Sequence, residues 1–173
     1  MHIEHSDFCL RSISREDADA YYEIYSHPEV AKYDDYKPIT REDLVIDMAR
    51  IALYTPASVY RELAVATTMD NKMIGVLTLD KKRRYVYLGY HFHPAYQGKG
   101  YAVRSVRALL ESFTPQDRQL LRLVSHPENR ASLALAQKVG FVFVAKRYLK
   151  GVMEAVYRFD EEQWTCQAVA RQF

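Results

Sequence analysis

Glycine and proline are scarce, at six residues each in 173, and cysteine occurs only twice. That scarcity excludes a collagen-like or disordered chain. Cys9 and Cys166 lie far apart with no metal-like spacing, so they read as reduced thiols of a cytosolic protein, not a disulfide framework. No apolar run is long enough to span a bilayer, and Met1-His2-Ile3-Glu4-His5 does not read as a signal peptide. The cytoplasm is the location this implies. A net charge of only +2 gives no electrostatic reason to expect nucleic acid or an anionic membrane as partner. Metal-ligand spacing is missing, and so is any Gly-x-x-x-x-Gly-Lys-Ser/Thr run, which argues against a metal centre and a nucleotide-phosphate enzyme. What is present is the composition of a folded protein, 49% hydrophobic and 27% charged, long enough for one domain over residues 1–173 with 160–173 as a tail.

Alternating and helical patterns order the chain. Phe8 to Ile13 reads as a strand, and Ser14-Arg15-Glu16-Asp17 as a capping box opening a helix through Ser26. Thr40-Arg41-Glu42-Asp43 repeats that signal before a helix with Leu44, Met48, Ile51 and Ala52 on one face. Three strands follow. Leu63, Val65, Thr67 and Met69 alternate in the first, Met73, Gly75, Leu77 and Leu79 in the second, and the third is Tyr85 to Phe92. Lys81-Lys82-Arg83-Arg84 between the last two reads as a solvated hairpin tip. Gln119 to Ser125 is a further strand. Asn129 is a suitable N-cap for a helix from Arg130 to Val139, with Gly140 at its C′ position. Phe141 to Leu149 and Val152 to Phe159 form a final strand pair, and Asp160 to Phe173 a short helix or loose tail. The expected class is mixed α/β.

The densest signal is Gln97-Gly98-Lys99-Gly100-Tyr101-Ala102, between the third strand and an amphipathic helix carrying Val106, Leu109, Leu110 and Phe113. Taken alone, Gly-Lys-Gly is an ordinary turn. After a strand and before a helix it offers unpaired amide N–H groups, a favourable dipole and two residues without Cβ, the requirements of an anion site.

These motifs, in this order, resemble the GNAT superfamily of acyl-CoA-dependent N-acyltransferases, and within it the RimJ/RimL-type branch. The resemblance runs from about Leu10 to Trp164. It rests on Leu10-Arg11 with Asp17, Pro28-Glu29-Val30-Ala31-Lys32-Tyr33, Gly89-Tyr90, the glycine turn, Asn129 with Ser132, and Lys138-Val139-Gly140-Phe141. It implies a central, mostly antiparallel mixed sheet with two splayed parallel strands, flanked by helices. It implies acetyl-CoA as acyl donor. The backbone of Tyr90, His91 and Phe92 would pair with the pantetheine amides, and the turn formed by Gln97, Gly98, Lys99, Gly100, Tyr101, Ala102 and Val103 would take the pyrophosphate. Asn129 would either bond near the pantetheine arm or simply cap its helix, and Ser132 would lie near the thioester.

Acetyl transfer to an amine needs a neutral nitrogen, a polarised carbonyl and a proton for the departing sulfur. Relatives commonly supply these from positions that are Tyr87, Val124 and Ala136 here. Ser132, Asn129 and Tyr87 are therefore the catalytic candidates, Tyr87 through an ordered water. His91, His93, His126 and Glu154 stand behind them. Tyr33-Asp34-Asp35-Tyr36 either packs its rings on the helices or attracts a cationic amine by charge and cation–π contact, making Tyr33 and Tyr36 the acceptor-binding candidates. The function expected is direct transfer from acetyl-CoA to a primary amine, either a protein N-terminus or a small molecule. The alternative is a non-catalytic acyl-CoA-binding module with degenerate acid/base residues. Relatives often dimerise through sheet edges or terminal segments, so a homodimer is also an expectation, with Trp164 either serving it or packing within the chain.

Overall fold

Alternating apolar residues in the chain build one eight-stranded sheet in the computed structural model, which describes residues 2–149 and 151–170. The strands are β1 (Ile3–Glu4), β2 (Phe8–Ser12), β3 (Tyr60–Thr67), β4 (Met73–Lys82), β5 (Tyr85–Phe92), β6 (Leu121–Ser125), β7 (Phe141–Leu149) and β8 (Val152–Phe159). Their order across the sheet is β1-β2-β3-β4-β5-β6-β8-β7. Every neighbouring pair is antiparallel except β5 and β6. The helices are α1 (Ala18–Tyr25), α2 (Pro28–Ala31), α3 (Arg41–Ile51), α4 (Tyr101–Glu111), α5 (Pro115–Gln119), α6 (Arg130–Lys138) and α7 (Glu161–Ala170). The mixed α/β architecture expected from the sequence is therefore the one observed.

Period-two alternation sends successive side chains to opposite faces. Leu63, Val65, Leu77, Leu79, Leu88 and Phe92 face one side and meet Val106, Leu109 and Leu110 of α4 and Leu135 and Ala136 of α6. Ala64, Met73 and Val76 face the other and meet Tyr21, Ile24 and Tyr25 of α1 and Leu44 and Ile51 of α3. Both capping boxes form: Ser14 N donates to Asp17 Oδ2 at 2.8 Å and Thr40 N to Asp43 Oδ2 at 2.8 Å. Asp17 is also clamped by the Arg11 guanidinium through bonds of 2.6 and 2.8 Å. Burial pushes that carboxyl up, but Arg11 and the Ser14 amide outweigh it and hold the carboxyl below the ordinary range. The Arg11 and Asp17 motif is thus a tie between β2 and the entry to α1.

Several boundaries differ from expectation. β3 stops at Thr67 because Thr67 N donates to Lys72 O, which starts the turn two residues early and leaves Met69 91% exposed. The helix expected through Ser26 starts as a 3-10 turn at Arg15–Asp17 and ends at Tyr25, and Pro28 opens α2. Gln119 and Leu120 are not strand: Thr114 caps α5, with Pro115 in its first turn, and β6 starts at Leu121. β1 was not anticipated. The tail is helical as α7, and Trp164 is 8% exposed against Phe159, ring centroids 5.8 Å apart, which is the packing role. Lys150 and residues 171–173 of the expected hairpin and tail lie outside the described residues.

Candidate active site

The parallel ladder between β5 and β6 is short. Val86 pairs with Leu121, Tyr87 with Arg122 and Leu88 with Leu123, and there the register ends. On its other edge β5 stays paired with β4 as far as Phe92 against Gly75. β6 likewise keeps its partner β8 through Ser125 against Ala155. The two strands therefore diverge after Leu88, leaving Gly89 to Phe92 with one free backbone edge. Gly89 marks the divergence: a Cβ there would fall 2.4 Å from Thr78 Oγ1 on β4, so only glycine fits.

The end of β5 runs into the glycine turn. Gln97 Nε2 donates to Phe92 O at 2.9 Å, tying the loop to the strand end. Gly98 and Gly100 take φ of 72° and 80°, the left-handed region that suits glycine. Space beside them is open: a Cβ on Gly98 would meet nothing within 4 Å, and one on Gly100 would approach only Arg104 Nε, at 3.9 Å. Gly100 is the N-cap of α4, so the first amides of that helix, from Tyr101 to Val103, face an uncrowded space. The Tyr101 ring is engaged elsewhere, edge-on to Phe8 and Tyr96. Lys99 Nζ lies 5.4 Å over the Tyr96 ring. A turn of helix-start amides uncrowded by side chains, beside a free strand edge, fits a pyrophosphate followed by an amide-bearing arm.

Across the cleft stands α6. Asn129 Oδ1 accepts from Ser132 N at 3.1 Å, so the side chain acts as an N-cap. Ser132, 9% exposed, shares a 2.7 Å hydrogen bond with the Tyr90 hydroxyl, which also donates to Ser132 O at 3.2 Å. Burial pushes the Tyr90 phenol well above its ordinary range despite that bond, so it stays protonated. Tyr90 thus braces the splayed end of β5 against α6 where the ladder is missing. Tyr87 is not part of this group. Alternation turns it to the other face of β5, within the paired stretch, where Lys82 Nζ lies 5.7 Å over its ring. Val124 sits on β6 and Ala136 is fully buried on α6.

The loop between α2 and α3 closes the other side of the cleft. Tyr33 stacks on His126 just beyond β6, centroids 5.6 Å apart and planes at 24°. Tyr36 packs edge-on to His91, at 5.8 Å, and against Tyr25. Its hydroxyl is buried with no hydrogen-bond partner among the described residues. Asp34 Oδ2 lies 3.2 Å from His91 Nε2, and His91 Nδ1 lies 3.4 Å from the Tyr25 hydroxyl. Tyr25 donates in turn to Glu62 Oε1 at 3.3 Å. Glu62 is 4% exposed and also accepts from Tyr60 at 3.1 Å and Tyr21 at 3.4 Å, with Arg50 Nη2 3.8 Å away. Burial pushes its carboxyl up, opposed by Arg50 and the tyrosine bonds. Burial first, and Glu62 second, push Tyr25 well above the ordinary phenol range.

Sequence reasoning placed His91 on the cleft strand but missed Tyr25 and Glu62. Tyr21 and Tyr25, four apart on one helix face, and a carboxylate entering an apolar strand were the available signals. His93 caps the turn after β5, accepting from Ala95 N at 3.2 Å, with its ring edge-on to His27 and Tyr96. Glu154 pairs with Arg147 at 2.5 Å. Among the described residues no group of His, Cys, Asp and Glu could hold a metal ion.

The family model described as "Acetyltransferase (GNAT) domain" matches residues 7–142. The uncharacterized N-acetyltransferase YnaD of Bacillus subtilis is 28% identical over 95% of the chain and 99% of its own length. A GNAT-family acetyltransferase structure from Bacillus anthracis superposes with a TM-score of 0.79 at 22% identity, covering 94% of this chain and 99% of that one. RimL, the ribosomal L7/L12 alpha-N-protein acetyltransferase, solved with coenzyme A, superposes with a TM-score of 0.75 at 18% identity, covering 92% and 99%.

Proposed function

Because the chain belongs to the acetyltransferase (GNAT) family, we propose that this acyltransferase acetylates a primary amine, a protein N-terminus or a small molecule, by direct transfer with both substrates bound. The acetyl donor is acetyl-CoA, which supplies the activated thioester. One observation carries the reading: the free edge of Gly89 to Phe92 runs directly into the open amide turn of Gly98 to Val103.

Each residue then has a bounded task. Tyr90 and the Phe92 N–H offer backbone groups on this edge to a linear amide-bearing arm, as an added strand would, while the backbone groups of His91 are turned to Val76 on β4. Gln97 fixes the turn, and the amides of Gly98, Lys99, Gly100, Tyr101, Ala102 and Val103 hold an anion. Asn129 orders the first turn of α6 and with it Ser132. Ser132, bonded to the protonated Tyr90 hydroxyl, can hold a proton at Oγ for the departing sulfur. Tyr87, on the opposite face, is left with at most an indirect role through water. Tyr33, Tyr36 and Asp34 line the mouth through which a cationic amine would enter. Orientation of two reactants in such a cleft is worth on the order of 7–11 kcal/mol at the upper end.

Gly100→Val is the direct test. Its β-branched side chain would be strained at φ 80° and would project into the anion space. Calorimetric titration with acetyl-CoA and its 3′-dephospho form is expected to show one-to-one binding in the wild type and none in the variant, with an unchanged circular dichroism spectrum. Equal affinity in the two proteins would overturn the assignment of the turn.

A further inference from the structure

The cleft has a second polar arm, and it lies on the face opposite Ser132. Asp34, His91, Tyr25 and Glu62 form an unbroken series of contacts of 3.2, 3.4 and 3.3 Å from the exposed mouth to the buried centre of β3. We propose that His91 is the group that takes the proton from the acceptor ammonium, with Tyr25 and Glu62 as the residues that fix its tautomer and Asp34 as the carboxylate that receives the ammonium. This inference rests on the amine-acetylation reading above and names the proton acceptor that Tyr87 and Val124 do not supply.

With His91 as the Nδ1–H tautomer each bond takes a direction. Tyr25 donates its O–H to Glu62, so its oxygen is left to accept from His91 Nδ1–H. The lone pair of Nε2 then points to the mouth, where Asp34 Oδ2 faces it. In that tautomer Nε2 and Asp34 Oδ2 are both acceptors, and a docked ammonium is a donor that the two can share. Asp34 is exposed on a loop, so an ammonium can take its place at Nε2 and keep the carboxylate as counter-ion. The Tyr36 ring packs edge-on to His91, and its buried hydroxyl has no partner among the described residues. Glu154 is the competing carboxylate, but it is engaged in an ion pair with Arg147.

The proton balance is complete. His91 Nε2 takes one proton from the ammonium, freeing the nitrogen lone pair to form the C–N bond as the C–S bond breaks. The second proton lost by nitrogen passes to sulfur through Ser132 Oγ, and the first leaves from His91 to solvent past Asp34. One ammonium and one thioester give one amide, one thiol and one released proton. The groups facing His91 are Tyr25 from α1, and Asp34 and Tyr36 from the loop, with apolar Val76 opposite on β4. Glu62, Tyr21, Tyr60 and Arg50 lie behind Tyr25.

Two readouts test this. The first uses 15N-histidine-labelled protein without any ligand. Long-range proton–nitrogen spectra should show the neutral His91 ring as the Nδ1–H tautomer, and both Tyr25→Phe and Glu62→Gln should shift its tautomer balance. Ring signals unmoved by both variants would overturn the positioning role. The second is thiol release from acetyl-CoA with a peptide bearing a free α-amino group and with a polyamine. For whichever is accepted, His91→Gln should lower kcat about 100-fold or more, remove the acid limb of the pH profile and leave acetyl-CoA affinity unchanged. A His91→Gln rate within twofold of wild type would sink this inference alone. A wild type that binds acetyl-CoA yet acetylates no amine would instead sink the reading it rests on.

Discussion

Leu77, Leu109, Leu110, Leu121 and Phe141, on the α4 and α6 side of the sheet, are buried among apolar neighbours, whereas the α1 and α3 side buries Glu62 among Tyr21, Tyr25 and Tyr60. The first arrangement gains stability from area removed from water and tight packing. The second places an ionisable group where ionising it is costly, and only the surrounding hydroxyls and Arg50 offset that cost. Polar chains of this kind, when they reach a cleft, mark places where a protein does chemistry. β5 belongs to both sides: Leu88 and Phe92 join the apolar core while His91 ends the polar chain.

The comparison can be broken most forcefully on the apolar side. Leu109→Ala, at a fully buried position on α4, is expected to cost about 3 kcal/mol through lost burial and the cavity left behind. Urea unfolding measures it, and a loss under about 1 kcal/mol would deny that this side is closely packed. On the polar side, Glu62→Gln should produce a smaller change that depends on pH. Burial holds the folded carboxyl above the ordinary glutamate value of 4.5, so the native state holds the proton more tightly than the unfolded chain does. Stability contributed by the wild-type carboxyl is therefore present below 4.5 and falls as pH rises through the folded value, at about 1.4 kcal/mol for each unit of upward shift. Glutamine should gain on the wild type as pH rises from 4.5. Parallel curves of unfolding free energy against pH would contradict the burial argument. Tyr90→Phe should have the least effect, about 1 kcal/mol from the lost bond to Ser132. It sharpens the contrast if kcat falls while acetyl-CoA affinity holds.

How much of this was readable beforehand depends on how far apart the cooperating residues lie in the chain. The glycine turn and the Asn129 cap were legible because each is a local backbone requirement met within a few residues. The alternation in β5 was legible too, and it correctly set His91 and Phe92 on opposite faces. The divergence of β5 from β6 came from the family resemblance, since no local pattern says where a parallel ladder stops. α5 was lost because Thr114 and Pro115, a cap and a first-turn proline, were passed over beside an apolar run. The Tyr25, Glu62 and His91 contacts were not legible. They depend on β3 lying two strands from β5 and on α1 crossing between them, a matter of topology and not of spacing.

The free edge of β5 has one more consequence. Unpaired strand edges invite pairing with other chains, and proteins that keep one must guard it. Here the exposed stretch from Gly89 to Phe92 spans about 13 Å and lies inside a wedge whose closed end is the Leu88 and Leu123 pair. The Tyr90 brace stands on one side and the Tyr33 stack on His126 on the other. A polypeptide strand, with side chains alternating on both faces, would have to thread that wedge end-on between two aromatic rings. A slender amide-bearing arm fits there, so on the proposed reading one shape would both admit the donor's arm and keep the edge from recruiting another protein's strand and starting aggregation.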